Sequence, residues 1–111
     1  MTLLAKRQER SIVPRMYYIT TAIDYTNGPP HIGHAYEKVL ADVLARWHRM
    51  KGEEVYFLTG VDQHGQKVQQ TAEKLGITPQ EHVNNITGQF LALWDRLGIS
   101  NDGWASTTDP R

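Results

Sequence analysis

The sequence predicts a parallel α/β domain that opens strand, helix, strand, helix, helix and stops before its sheet is complete. Three observations predict it. Uncharged, β-branched and aromatic runs at 16–23 and 55–58 suit strands covered on both faces. After each run, apolar residues recur at spacings of three and four, the period of a helix face. Clusters of Gly, Pro, Asn and Asp mark the changes of period. Two parallel strands are too few to bury both faces of a sheet, so the chain reads as truncated.

Met-Tyr-Tyr-Ile-Thr-Thr-Ala-Ile, from Met16 to Ile23, reads as the first strand, and the turn formers from Asp24 to Pro30 end it. In the next stretch Tyr36, Val39, Leu40, Val43, Leu44, Trp47 and Met50 line one helix face. Glu37, Lys38, Asp42, Arg46 and Arg49 lie on the other side, and Gly52 stops the helix. Val55, Tyr56, Phe57 and Leu58 make the second strand, and Thr59 to Gly65 the turn beyond it. A weaker helix follows, with Val68, Ala72 and Leu75 inward and Gly76 closing it. Thr78-Pro79-Gln80-Glu81 is a strong helix start, with a threonine cap, an early proline and a glutamate three residues on. Val83, Ile86, Phe90, Leu93, Trp94 and Leu97 give that helix its apolar face. The segment from Ser100 to Arg111 is polar and has no period.

With 111 residues the chain accommodates one small domain. Twelve basic and twelve acidic residues cancel, so no global field favours nucleic acid. The absence of cysteine excludes a disulfide scaffold and a cysteine-ligated zinc site within these residues. No apolar run approaches the roughly 20 residues that span a bilayer, and the expected setting is soluble and cytoplasmic. Residues 1–15 are basic, through Lys6, Arg7, Arg10 and Arg15, with only Leu3, Leu4 and Ala5 as an apolar cluster. That cluster is too short for a secretory signal. The segment reads as a flexible leader ahead of a domain at 16–111, or as the product of a start codon upstream of Met16. A targeting presequence is the alternative, and Glu9 counts against it.

In an open α/β sheet, ligands bind beyond the carboxyl ends of the strands. Two loops fall there, Asp24 to His34 and Thr59 to Gly65. The first runs straight into a helix N-terminus, whose free amides and partial positive charge suit a phosphate. Gly28 and Gly33 let a ligand approach the backbone. His31 and His34, three apart, put two imidazoles on one side of the helix start, each able to donate a hydrogen bond to a phosphate oxygen. The alternative is a pair of helix-capping histidines with a structural role. His48 and His82 fall on polar helix faces and read as solvated; Glu37 could approach the site from the first turn of its helix, but reads as an acidic residue favoured there in any case.

Asn27-Gly28-Pro29-Pro30-His31-Ile32-Gly33-His34 resembles the HIGH signature of class I aminoacyl-tRNA synthetases, in which both histidines contact ATP phosphates. Phe57-Leu58-Thr59-Gly60-Val61-Asp62-Gln63-His64-Gly65-Gln66-Lys67 resembles the second loop of the methionine branch, Phe-Leu-Thr-Gly-x-Asp-Glu-His-Gly-x-Lys. Thr20 to Tyr25 is similar to that branch's opening strand. Asp24 and Gln63 depart from it, standing where many members have tyrosine and glutamate, while His64 matches without an assigned role.

The resemblance implies a Rossmann-like nucleotide-binding fold and the chemistry of a methionine–tRNA ligase. Methionine is activated by ATP, with Mg2+, to methionyl-adenylate and transferred to tRNA. It implies His31 and His34 as catalytic residues, with Asn27, Gly28 and Gly33 completing the ATP-binding turn. Ala22 and Ile23, through their backbone, and Tyr25 would line the methionine pocket, and Asp62 would pair with the α-ammonium. A loop-capping role for Asp62 and a core role for Tyr25 remain the alternatives. The family's Lys-Met-Ser-Lys-Ser loop does not occur in these residues. Its other parts (the second half of the nucleotide fold, an insertion that often binds zinc, the anticodon-binding domain through which tRNA is held) are likewise expected elsewhere. The chain therefore reads as an N-terminal piece with little activity by itself. A non-catalytic nucleotide-binding fragment and a related His-x-Gly-His nucleotidyltransferase are the competing functions. No feature of the sequence specifies an oligomeric state.

Overall fold

A computed structural model describes residues 15–110; the leader assigned to 1–15 lies outside them apart from Arg15. The elements are β1 (Met16–Thr20), β2 (Asp24–Tyr25), α1 (Ile32–Met50), β3 (Glu54–Asp62), α2 (Gln66–Leu75), α3 (Pro79–Leu97) and β4 (Gly103–Ser106). All strand pairings are parallel, and β3 is the centre of the sheet. β1 and β2 share one edge of β3, pairing Met16 to Thr20 with Glu54 to Leu58 and Asp24–Tyr25 with Val61–Asp62. Between these registers, Thr21, Ala22 and Ile23 face only Thr59 and Gly60, so β1 and β2 are one strand interrupted by a bulge.

The other edge of β3 holds a strand that the sequence does not announce. Residues 100–111 read as aperiodic, yet Gly103–Ser106 pairs with Leu58–Val61 as β4. Four residues are too few to display a period, and it is pairing with β3 that makes them a strand. Asp102 anchors the start, its Oδ2 accepting from the Phe57 amide at 2.8 Å.

The helix boundaries follow local signals. Thr78 Oγ1 accepts from the Glu81 amide at 3.1 Å, Pro79 opens α3, and Gly98 closes it with φ 65°. Gly76, with φ 70°, closes α2. Both glycines occupy the left-handed region that other residues avoid.

The faces of α1 correct the ordinary reading of its period. Its buried residues are Lys38, Ala41, Asp42 and Ala45. The apolar stripe points outward, with Tyr36 71%, Trp47 55% and Met50 82% exposed. Two alanines let α1 lie close to β1 and β3, and Phe57 packs against them with Ile19, Val55 and Ile99. The polar pair on this face is compensated. Asp42 accepts from the Ser100 amide at 2.8 Å and from Arg46 Nε at 2.8 Å, and Lys38 is paired as described below. A second cluster of Ile86, Phe90 and Trp94 on α3 meets Ile99 and Trp104. Leu75 and Leu97, expected inward, are exposed at the ends of their helices. Among the described residues no helix is long and apolar enough to cross a membrane.

Candidate active site

The first loop and the start of α1 form a cleft of about 190 Å³. The bulge side contributes Ala22, Ile23, Asp24 and Tyr25, and the helix side His31, Gly33, His34 and Glu37. Residues assigned from the sequence to two different ligands, His31, Gly33 and His34 for the nucleotide and Ala22, Ile23 and Tyr25 for the amino acid, thus line one space.

His31 is the N-cap of α1. Its Nδ1 accepts from the Gly33 amide at 3.0 Å, and His34 Nδ1 accepts from the His31 amide at 3.1 Å. The two imidazoles therefore form a capping box, a job usually done by Ser or Thr with Glu or Gln. This is the structural role weighed for the pair, and it is compatible with ligand binding. An Nδ1 that accepts a backbone proton carries none, so each ring holds its proton on Nε2 and keeps that N–H as a donor. Burial lowers the His34 pKa below the usual imidazole value, and the neighbouring His31 lowers it further. The rings lie 3.9 Å apart, and Phe90 meets His34 edge-on at 5.0 Å.

Gly33 is required by the cap: a Cβ there would sit 2.8 Å from His31 Cε1. Gly28 has no such constraint, because a Cβ would meet nothing within 4 Å. Asn27, assigned to the same turn, is not among the residues lining the cleft. Its carbonyl accepts from His82 Nε2 at 3.1 Å, and its Oδ1 is buried without a partner among the described residues. His82 itself is buried, which corrects its reading as a solvated histidine. His48 is corrected too. Its ring stacks on Tyr17 at 3.4 Å and its Nδ1 pairs with Glu53.

Asp62 does not line the cleft but pairs across the sheet with Tyr25. Its Oδ1 accepts from the His64 amide at 3.1 Å, the loop-capping geometry, and from Thr107 Oγ1 at 3.3 Å. His64 Nε2 donates to the Thr107 carbonyl at 3.1 Å. Gln63 accepts from Ser106 and Thr108 and donates to Thr87 Oγ1 at 2.9 Å, so this loop is tied to the segment after β4 and to α3. Tyr25 is partly exposed rather than core, and its hydroxyl lies over Gly65, whose φ is 134°.

Beneath the cleft lies a group that the sequence reading placed on the polar side of α1. Lys38 is 0% exposed. Its Nζ donates to Asp24 Oδ1 at 3.0 Å, Glu37 Oε1 at 2.9 Å and the Ala22 carbonyl at 3.2 Å, and lies 5.3 Å from the centre of the Trp94 ring. Burial raises the Asp24 pKa above the usual carboxyl value, against the lowering effect of Lys38. One signal for Lys38 was available: it follows His34 by four residues and precedes Ala41 and Ala45 at helical spacing, which marks the face that lies close to the sheet.

A parallel sheet whose edge strand turns, through a His-x-Gly-His cap, into a helix N-terminus has the form of a class I tRNA synthetase nucleotide domain. A profile of the family described as tRNA synthetases class I (M) matches residues 17–111. The chain belongs to that family. It is similar to the methionine–tRNA ligases of Rhizobium meliloti, at 54% identity over 95 residues, and Streptomyces coelicolor, at 49% over 98. Those matches cover 86% and 87% of this chain and 18% of each relative. It is also similar to a crystal structure of Mycobacterium tuberculosis methionyl-tRNA synthetase bound by methionyl-adenylate. That match has 42% identity and a TM-score of 0.83, and covers 86% of this chain and 19% of the other. The chain spans under a fifth of the length of these proteins.

Proposed function

We propose that the cleft is the first half of a methionine–tRNA ligase active site, receiving methionine and ATP. In this reaction the methionine carboxylate attacks the α-phosphate of ATP, pyrophosphate leaves, and the methionyl group then passes from the adenylate to tRNA. Mg2+ enters with ATP as part of the substrate. His31 and His34 donate their Nε2 protons to phosphate oxygens as negative charge builds there, and the N-terminus of α1 adds its partial positive charge. Asn27, Gly28 and Gly33 shape the turn. The backbone of Ala22 and Ile23 lies along the amino acid, Tyr25 beside the thioether, and Asp62 takes the α-ammonium. tRNA is held by other parts of the enzyme, in a cytoplasmic setting.

The observation that carries this reading is the capping box, because it consumes both Nδ1 atoms and leaves two Nε2 donors at a helix N-terminus in a shared cleft. The test is titration of the chain with methionyl sulfamoyl adenosine, a hydrolysis-resistant adenylate analogue, followed by NMR of the histidine rings. Both His31 and His34 resonances shift, and the leucyl analogue shifts them less. An analogue that moves neither imidazole, or equal responses to both analogues, refutes the proposal. Methionine-dependent ATP–pyrophosphate exchange by the chain alone stays far below that of the long relatives, since other phosphate-stabilising groups of the family lie outside these residues.

A further inference from the structure

Lysine is almost never fully buried unless it is paired, and Lys38 occupies a specific place. Its ammonium is the donor to the Ala22 carbonyl, within the bulge where the strand leaves the β3 ladder. The same nitrogen holds Asp24, which starts β2 on the far side of the bulge, and it rises from the helix one turn beyond His34. One side chain thus joins the two sides of the cleft.

We propose that Lys38 is a positioning residue, a strut that through Ala22 and Asp24 sets the bulge against the His31–His34 turn; this rests on the reading of the cleft as an adenylate site. Stability alone does not explain the arrangement. Burying an ion pair costs as much desolvation as it returns in attraction, and a well-packed apolar pair is often at least as stable. Here the pair is also incomplete, because Asp24 Oδ2 is buried without a donor among the described residues. What the pair supplies is a fixed direction: three hydrogen bonds from one tetrahedral ammonium. The bulge amides on either side are held separately, Thr21 N donating to the Leu58 carbonyl at 3.3 Å and Thr26 N to the Asp62 carbonyl at 3.0 Å. Between them, Lys38 holds the Ala22 carbonyl and the Asp24 carboxylate. Asp24, Lys38, Glu37 and His31 are the charged or titratable groups that act on His34, and Lys38 opposes its protonation.

The test compares the wild-type chain with Lys38→Met and Lys38→Met/Asp24→Leu, which removes both charges together. The double variant keeps its urea midpoint at or above that of the wild type. Its amides around the bulge nevertheless exchange with solvent about tenfold faster or more, and its affinity for methionyl sulfamoyl adenosine falls about tenfold or more. A pair that only stabilised the fold would leave exchange and affinity unchanged once stability is restored. Unchanged exchange in a stable double variant overturns the proposal, as does unchanged affinity. A double variant that fails to fold makes the pair a folding element and also overturns it. If Lys38→Met alone unfolds, the double variant decides. Failure of the wild-type chain to bind the analogue refutes the adenylate reading instead, and exchange still decides the strut.

Discussion

Substituting His31 separates the two jobs that one imidazole performs. His31→Ala removes the Nδ1 acceptor of the Gly33 amide but keeps the residue's own N–H, so His34 Nδ1 can still accept from it. One cap bond is lost, which costs about 1 kcal/mol. With a urea m-value of about 1–3 kcal/mol/M for a small domain, the unfolding midpoint falls by roughly 0.3–1 M. His31→Asn restores a side-chain oxygen at the N-cap, where Asn is among the favoured residues, so its stability stays within about 0.5 kcal/mol of the wild type. Neither variant retains an Nε2–H. A hydrogen bond to a charged group contributes about 1.5–3 kcal/mol, so both lose affinity for the adenylate analogue, whose anionic sulfamoyl oxygens stand in for those of the α-phosphate, by roughly tenfold to a hundredfold. Urea denaturation followed by circular dichroism reads the first effect, and fluorescence or NMR titration the second. An alanine variant as stable as the wild type refutes the cap. An asparagine variant that binds like the wild type refutes the imidazole as the phosphate donor.

Four further outcomes follow from the same geometry. His34 titrates below the usual imidazole value; its neutral form belongs to the fold, so its contribution is complete above about pH 6.5 and is lost as pH falls through the lowered value, which ring NMR and pH-dependent denaturation measure. Burial pushes Asp42 up, but hydrogen bonds from Ser100 and Arg46 outweigh it and hold the carboxyl low. Its contribution is therefore present above about pH 4 and lost as pH falls through that lower value, and Asp42→Ala costs about 2–4 kcal/mol in urea denaturation by stripping Ser100 and Arg46 of their acceptor. Gly65→Ala costs about 1–3 kcal/mol, since its φ of 134° disfavours a side chain and an added Cβ would clash with the Tyr25 hydroxyl; a neutral substitution contradicts this. Val43→Lys, on the outward face of α1, changes stability by less than about 0.5 kcal/mol; a core-sized loss in thermal or urea unfolding contradicts the orientation of the helix.

The sequence by itself determined the features that depend on near neighbours. The 3.6-residue period located all three helices, and Thr78, Pro79, Gly76 and Gly98 bounded them, because caps act within one turn. The strand at 16–20 and the start of β3 at 55–58 were legible for the same reason, whereas Thr59 to Asp62, read as a turn, continue β3 because β2 and β4 pair with them. The cleft residues from Ala22 to His34 were legible because the chemistry of that turn is written in consecutive residues. Contacts between distant segments were decided only by the tertiary structure. Ser106 and its neighbours become β4 by pairing with β3. His82 becomes buried because the Asn27 carbonyl, 55 residues away in sequence, meets it. A helical period states that one face of α1 is apolar, but not which face the sheet will meet. The small side chains of Ala41 and Ala45 allow the closest approach, and Asp24 and Ser100 supply partners for Lys38 and Asp42, so the polar stripe turns inward. Burial is a property of what lies opposite, and a residue's own neighbours in the chain carry no record of that.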